Sequence, residues 1–121
     1  MIGNAVWFEI PSSDFERAVK FYEAVFQVTL RREKIGGDMA VFPGDAPAVT
    51  GAIVSQAGYV PAANGAVVYL SAGNDLSPML TRVVAEGGKV VEPKTALPPG
   101  MGHYAHFMDC EGNRVGLHSE N

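Results

Sequence analysis

The chain has 121 residues, with 9 basic and 13 acidic side chains for a net charge of −4, and 47% of it is hydrophobic against 18% charged. That balance predicts one packed domain over residues 1–121 and excludes a charge-rich disordered chain. The sequence shows no Lys/Arg cluster to release counterions from nucleic acid, no apolar run near the roughly 18 residues that cross a bilayer, and a single cysteine, Cys110.

The amino-terminal Met1-Ile2-Gly3-Asn4 carries neither the basic stretch nor the long apolar run of a secretion signal, so a cytoplasmic location is expected, with no nucleic-acid or membrane partner. Residues 4–10 alternate Val6, Phe8 and Ile10 with Ala5, Trp7 and Glu9 and stop at Pro11, which predicts a strand with two chemically different faces. Ser13-x-x-Glu16 then reads as a capping box. Behind it Phe15, Ala18, Val19, Tyr22, Val25 and Phe26 recur at helical spacing, with Glu16, Arg17, Lys20 and Glu23 on the opposite side.

Residues 28–34, 39–42 and 51–55 read as three more short strands, divided by Gly36-Gly37 and by a Gly44-Asp45-Ala46-Pro47 turn. A connector over 56–64 leads to a strand over 66–71 and to a second helix, capped by Asp75, carried by Leu76, Met79, Leu80, Val83 and Val84, and ended by Gly87-Gly88. Strands over 89–92, 103–109 and 114–119 complete the chain.

The order strand, helix, three strands thus occurs twice. Setting Asp14 on Asp75 puts Val6 on Val67, Phe8 on Tyr69 and Phe15 on Leu76, while Ser55 on Ser119 brings Ala52 onto Gly116 and Ile53 onto Leu117. Two copies are too few for a solenoid, so two βαβββ modules are expected, one over 4–55 and one over 66–119.

The stretches EIPSSDFERAVKFYEAVF and GHYAHFMDCEGNRVGLHS resemble the opening and closing signatures of the vicinal oxygen chelate superfamily, which includes glyoxalases, bleomycin-resistance proteins and extradiol dioxygenases. The resemblance spans nearly the whole chain. It implies an α+β fold in which two βαβββ modules form a cup-shaped, curled mixed sheet with helices on the outer face, and it implies a homodimer. Asp109 to Asn113 fits the family's hairpin turn, with Gly112 and Asn113 suited to positive φ.

Enzymes of the family place His, Glu or Gln at four cup-facing positions, one on the first and one on the last strand of each module, because a divalent ion needs lone-pair donors. Read onto this sequence, those positions fall on Ala5, Ala52, Ala66 and Gly116, none of which can coordinate. The resemblance then implies a small-molecule-binding protein that holds an organic ligand in its cup without a metal or other cofactor, as bleomycin-resistance-like proteins do.

Strand alternation assigns Val6, Phe8, Ile53, Val67, Tyr69, Val115 and Leu117 to the helix-covered face. The cup face receives Trp7, Glu9, Val54, Val68, Leu70 and His118, together with Tyr104, His106 and Met108. An apolar wall with a few polar groups is the make-up of a ligand pocket, and Trp7, Glu9, Val54, Val68, Tyr104, His106, Met108 and His118 are the expected ligand-binding residues.

Blander roles remain open for some of them: Glu9 as a solvated strand end or partner of Arg114, His118 as a dimer-edge residue, His103 as solvent-facing. Cys110, in a turn without a basic neighbour, is expected to be inert. The Pro/Gly-rich segment 95–102 is a connector or a lid. Two alternatives stand beside metal-free binding: a metal-dependent lyase or dioxygenase using a displaced set such as Glu9, His106 and His118, and a protein-interaction module with a vestigial cup.

Overall fold

The computed structural model describes residues 2–45 and 47–121; the expected turn at residues 44–47 includes Ala46, which lies outside the described residues. The elements run β1 (Trp7–Pro11), α1 (Phe15–Phe26), β2 (Arg31–Lys34), β3 (Asp38–Val41), β4 (Thr50–Ser55), β5 (Tyr69–Ser71), α2 (Ser77–Ala85), β6 (Lys89–Ala96), β7 (His103–Met108) and β8 (Arg114–Ser119). They form two four-stranded sheets, β1-β4-β3-β2 and β5-β8-β7-β6. In each, the opening strand lies parallel to the last strand of its module and the remaining pairs are antiparallel. This is the α+β architecture of two βαβββ modules, and neither sheet closes into a barrel.

One core serves both modules. Helix α1 places Val19, Tyr22 and Val25 on the same side, and these pack with Ile53 of the first sheet and with Phe107 and Leu117 of the second. The Tyr22 ring meets Phe42 edge-on at 5.9 Å, and Phe21 lies 6.1 Å from Phe107. A smaller cluster of Met39, Val41, Ala52 and Val54 covers the opposite face of the first sheet.

Polar contacts fasten the modules where the Asp109–Asn113 turn meets α1. The capping box expected from Ser13 does not form: Asp14 is the N-cap, its carboxylate accepting from Arg17 N, because the Ser13 side chain is drawn to Glu111. The Glu111 carboxylate accepts from Ser13 N at 3.0 Å and Asp14 N at 2.7 Å. Asp109 accepts from the Tyr22 hydroxyl at 2.7 Å and from Glu111 N and Asn113 N. In this turn Gly112 has φ +88, while Asn113 does not adopt positive φ; its amide serves instead as a tie, donating to Pro11 O at 2.8 Å and accepting from Ala62 N at 3.1 Å.

The second helix begins one residue later than expected. Leu76 occupies the N-cap position, and Asp75 accepts from Ser77 N at 2.9 Å. Gly87, at φ +93, and Gly88, which donates to Val83 O, end it as expected. Strand β6 continues through Ala96, past its expected end at Glu92, with irregular register between Val90 and Thr95 around Pro93.

The internal repeat is real, but its opening strands are offset differently from the sequence expectation. Glu9 stands opposite Ala52 and Ile10 opposite Ile53; in the second sheet Tyr69 stands opposite Gly116 and Leu70 opposite Leu117. Ile10 therefore corresponds to Leu70, and Phe8 does not correspond to Tyr69. The cause is the link to the helix, where Leu70 to Asp75 holds one residue more than Ile10 to Asp14, and Gly73, at φ +70, lies in it.

A one-residue slip exchanges the faces of a strand. Leu70 and Val68, expected on the cup face, pack against the shared core, and Tyr69, expected there, is exposed on the other side. Ala5 and Ala66 precede the strands and are exposed.

Candidate ligand hollow on the second sheet

Because β7 and β8 pair Tyr104 with His118 and His106 with Gly116, these residues share the face turned away from the helices. Tyr69 joins them from β5, and Leu97 from the segment after β6. Together Tyr69, Leu97, Tyr104, His106 and His118 line a hollow of about 520 Å³, within the size range of small-molecule sites. The Tyr69 and Tyr104 rings flank the His106 imidazole at centroid distances of 5.2 and 5.7 Å.

Tyr69 reaches this position because Gly116 beneath it has no side chain. A Cβ at Gly116 would stand 2.4 Å from Tyr69 Cδ2 and 2.8 Å from Cγ, so the ring fills the volume that any larger residue would occupy.

Hydrogen bonds fix both histidines. Arg114 Nε donates to His106 Nδ1 at 2.9 Å, and His106 Nε2 lies 2.5 Å from the Tyr69 hydroxyl. Burial, reinforced by the Arg114 charge and opposed by Glu92, holds the His106 pKa below its ordinary 6.5. His118 Nε2 donates to the Met101 carbonyl at 2.7 Å, which fastens the 95–102 segment to β8. Within that segment Leu97 N donates to Gly102 O and Met101 N to Pro98 O, closing a compact turn.

The eight residues expected at the site do not converge. Tyr104, His106 and His118 meet in the hollow. Trp7, Glu9 and Val54 belong to the first sheet, where Trp7 Nε1 donates to Glu9 at 3.2 Å and Val54 is fully buried among Met39, Val41 and Ala52. Val68 and Glu9 line a narrower hollow of about 180 Å³ with Asn113 and Arg114. Met108 stands opposite Arg114 at the far end of β7 and does not line the His106 hollow.

Sequence alternation missed Tyr69 and Leu97. The signal for Tyr69 was the longer link between Leu70 and Asp75, and no local pattern marks Leu97.

Of the four positions read from the resemblance, Ala52 and Gly116 lie in strands, and the residues opposite them on the opening strands are Glu9 and Tyr69 rather than Ala5 and Ala66. Ala52 and Gly116 offer no donor atom, and the Tyr69 ring occupies the space above Gly116. Among the described residues no group of three or more His, Cys, Asp or Glu side chains is arranged to hold a metal ion. Of the displaced set, Glu9 lies outside the hollow, and both ring nitrogens of His106 have hydrogen-bond partners.

His103 is half-buried, with a covered Nδ1 that has no hydrogen-bond partner, where a solvent-facing ring was expected. The Cys110 thiol is pushed up to about 11, chiefly by burial and also by Asp109, against the pull of Arg17, so at neutral pH it stays protonated.

Residues 4–117 match the family model of the Glyoxalase/Bleomycin resistance protein/Dioxygenase superfamily. A glyoxylase-like domain-containing protein of Didymella fabae is 32% identical over 117 residues, covering 92% of this chain and 89% of that one. Among solved structures, a glyoxalase/bleomycin resistance protein from Albidiferax ferrireducens T118 superposes with a TM-score of 0.76 at 17% identity, covering 97% of this chain and 98% of the other. TnmS3, an antibiotic binding protein from Streptomyces sp. CB03234, does so with a TM-score of 0.66 at 21% identity, covering 99% and 98%.

Proposed function

This chain belongs to the Glyoxalase/Bleomycin resistance protein/Dioxygenase superfamily, and from that premise we propose that it binds a small, partly aromatic organic molecule in the hollow of Tyr69, Tyr104 and His118 without a resident divalent metal. The observation that carries this reading is the replacement at the metal positions: Gly116 and Ala52 bring no donor, and an aromatic ring covers Gly116. The space left by small side chains is lined by two tyrosines, a leucine and two histidines. Such a wall favours apolar contact with a few directed hydrogen bonds over charge neutralisation. TnmS3, described as antibiotic binding, shares the fold and gives a fold-level precedent for capture of an organic molecule.

The competing metal-enzyme reading would need Glu9, His106 and His118 around one ion, and they do not line a common hollow. The homodimer and the cytoplasmic location remain part of the proposal on the strength of the family resemblance and the sequence.

A thermal-shift screen of chelator-treated protein against metabolites, thiol conjugates and drug-like aromatics tests the reading. A ligand that binds only the native state raises the midpoint according to its concentration relative to its dissociation constant. Dose-dependent stabilisation by an aromatic compound, lost on Tyr104→Ala, is expected. Stabilisation only when a divalent metal is supplied would reject it.

A further inference from the structure

Arg114, His106 and Tyr69 form a chain whose proton positions follow from donor chemistry alone. A guanidinium has N–H groups and no acceptor. Arg114 Nε can therefore only donate, and His106 Nδ1, 2.9 Å away, must present its lone pair. In a neutral imidazole the proton then sits on Nε2. That N–H faces the Tyr69 oxygen, which accepts it. The phenol keeps its own O–H proton, no longer committed to His106, at the rim of a hollow walled by Tyr104, Leu97 and His118.

We infer that Tyr69 selects the ligand, donating a hydrogen bond from its hydroxyl to an acceptor oxygen, of the carbonyl class, on a flat aromatic molecule lodged in this hollow. The inference rests on the ligand-binding reading and adds to it the group recognised. The cationic head of the chain polarises each following donor, so the Tyr69 O–H is a stronger donor than an isolated phenol. The flanking Tyr69 and Tyr104 rings offer aromatic faces and edges, which suits a planar ligand. Arg114 is a positioning residue, since it acts through His106. The exposure of Tyr69 makes removal of its hydroxyl a mild change for folding.

The test compares fluorenone with fluorene, which differ in carbonyl against methylene, by equilibrium binding to the wild-type protein and to Tyr69→Phe. The preference for fluorenone over fluorene should fall about fivefold in Tyr69→Phe, the worth of one hydrogen bond. In nitrogen-correlated NMR of the wild type, His106 should show an unprotonated Nδ1 and a protonated Nε2, and Arg114→Leu should release that tautomer and reduce the preference. An unchanged preference in Tyr69→Phe, or a protonated Nδ1 in the neutral ring, overturns the inference and leaves the hollow as a ligand site. Failure of both probes to bind the wild type removes the ligand-site reading and the inference with it.

Discussion

The Tyr69 ring lies over the α-carbon of Gly116 so closely that a methyl group there would come within 2.4 Å of Tyr69 Cδ2. Position 116 is where the superfamily's closing motif brings a metal carboxylate, and here the two roles exclude each other. Gly116→Ala should cost about 1–3 kcal/mol, as overpacking does. Most of that cost should vanish in a Tyr69→Ala background. Urea unfolding of the four proteins checks it: equal costs in both backgrounds would mean that the ring does not limit this position.

Tyr22 ties the helix to the second module through its 2.7 Å bond to the Asp109 carboxylate, which also accepts from Glu111 N and Asn113 N. Burial first, and the Asp109 charge second, hold the Tyr22 hydroxyl well above its ordinary value, so it remains a donor. Tyr22→Phe should lower stability by about 2 kcal/mol, as expected for a bond to a charged acceptor. Denaturant midpoints measure it, and an unchanged midpoint would show that the turn holds without this bond.

Glu111 should govern stability in acid. Burial raises its pKa, but hydrogen bonds from Ser13 and Asp14 and the Arg17 charge outweigh it and hold the carboxyl below 4.5. A native pKa below the unfolded one gives stability that is complete above 4.5 and lost as the pH falls through that value toward the native one. Glu111→Gln should therefore be less stable than the wild type at neutral pH, with the gap closing in acid. Unfolding free energies as a function of pH check the sign; a constant gap would contradict it.

Much of this was legible in the sequence. The order of elements and the α+β two-module fold follow from period-two and period-3.6 patterning, and strand alternation placed Tyr104 and His106 on the open face, where β7 pairs with β8. The opening strand of the second module was not legible. Val67, Val68, Tyr69 and Leu70 are all apolar or aromatic, so alternation gave no phase, and the phase taken from Asp75 was wrong by the one residue that the Gly73 link adds. The scatter of Glu9 and Val54 away from the hollow is a tertiary fact: the two modules share a core through their helix-covered faces, so residues on the open face of one sheet are not thereby neighbours of those on the other, while Val68 was moved to the core side by the slip itself.

The His106 ring should titrate below 6.5 in NMR, and Arg114→Leu should raise its pKa, since burial and the Arg114 charge both disfavour its protonation and Glu92 alone opposes them. The linked stability is complete above 6.5 and declines as the pH falls through that value toward the native pKa. This decline begins at a higher pH than the one set by Glu111. A His106 pKa unmoved by Arg114→Leu would contradict the assigned chain.

The most direct test of metal-free recognition is equilibrium binding of fluorenone to protein dialysed against a chelator, repeated after adding back nickel, zinc or manganese. The account predicts one dissociation constant throughout, weakened by Tyr104→Ala. Binding that disappears on chelation, returns with one of the metals, and fails in His118→Ala would contradict it.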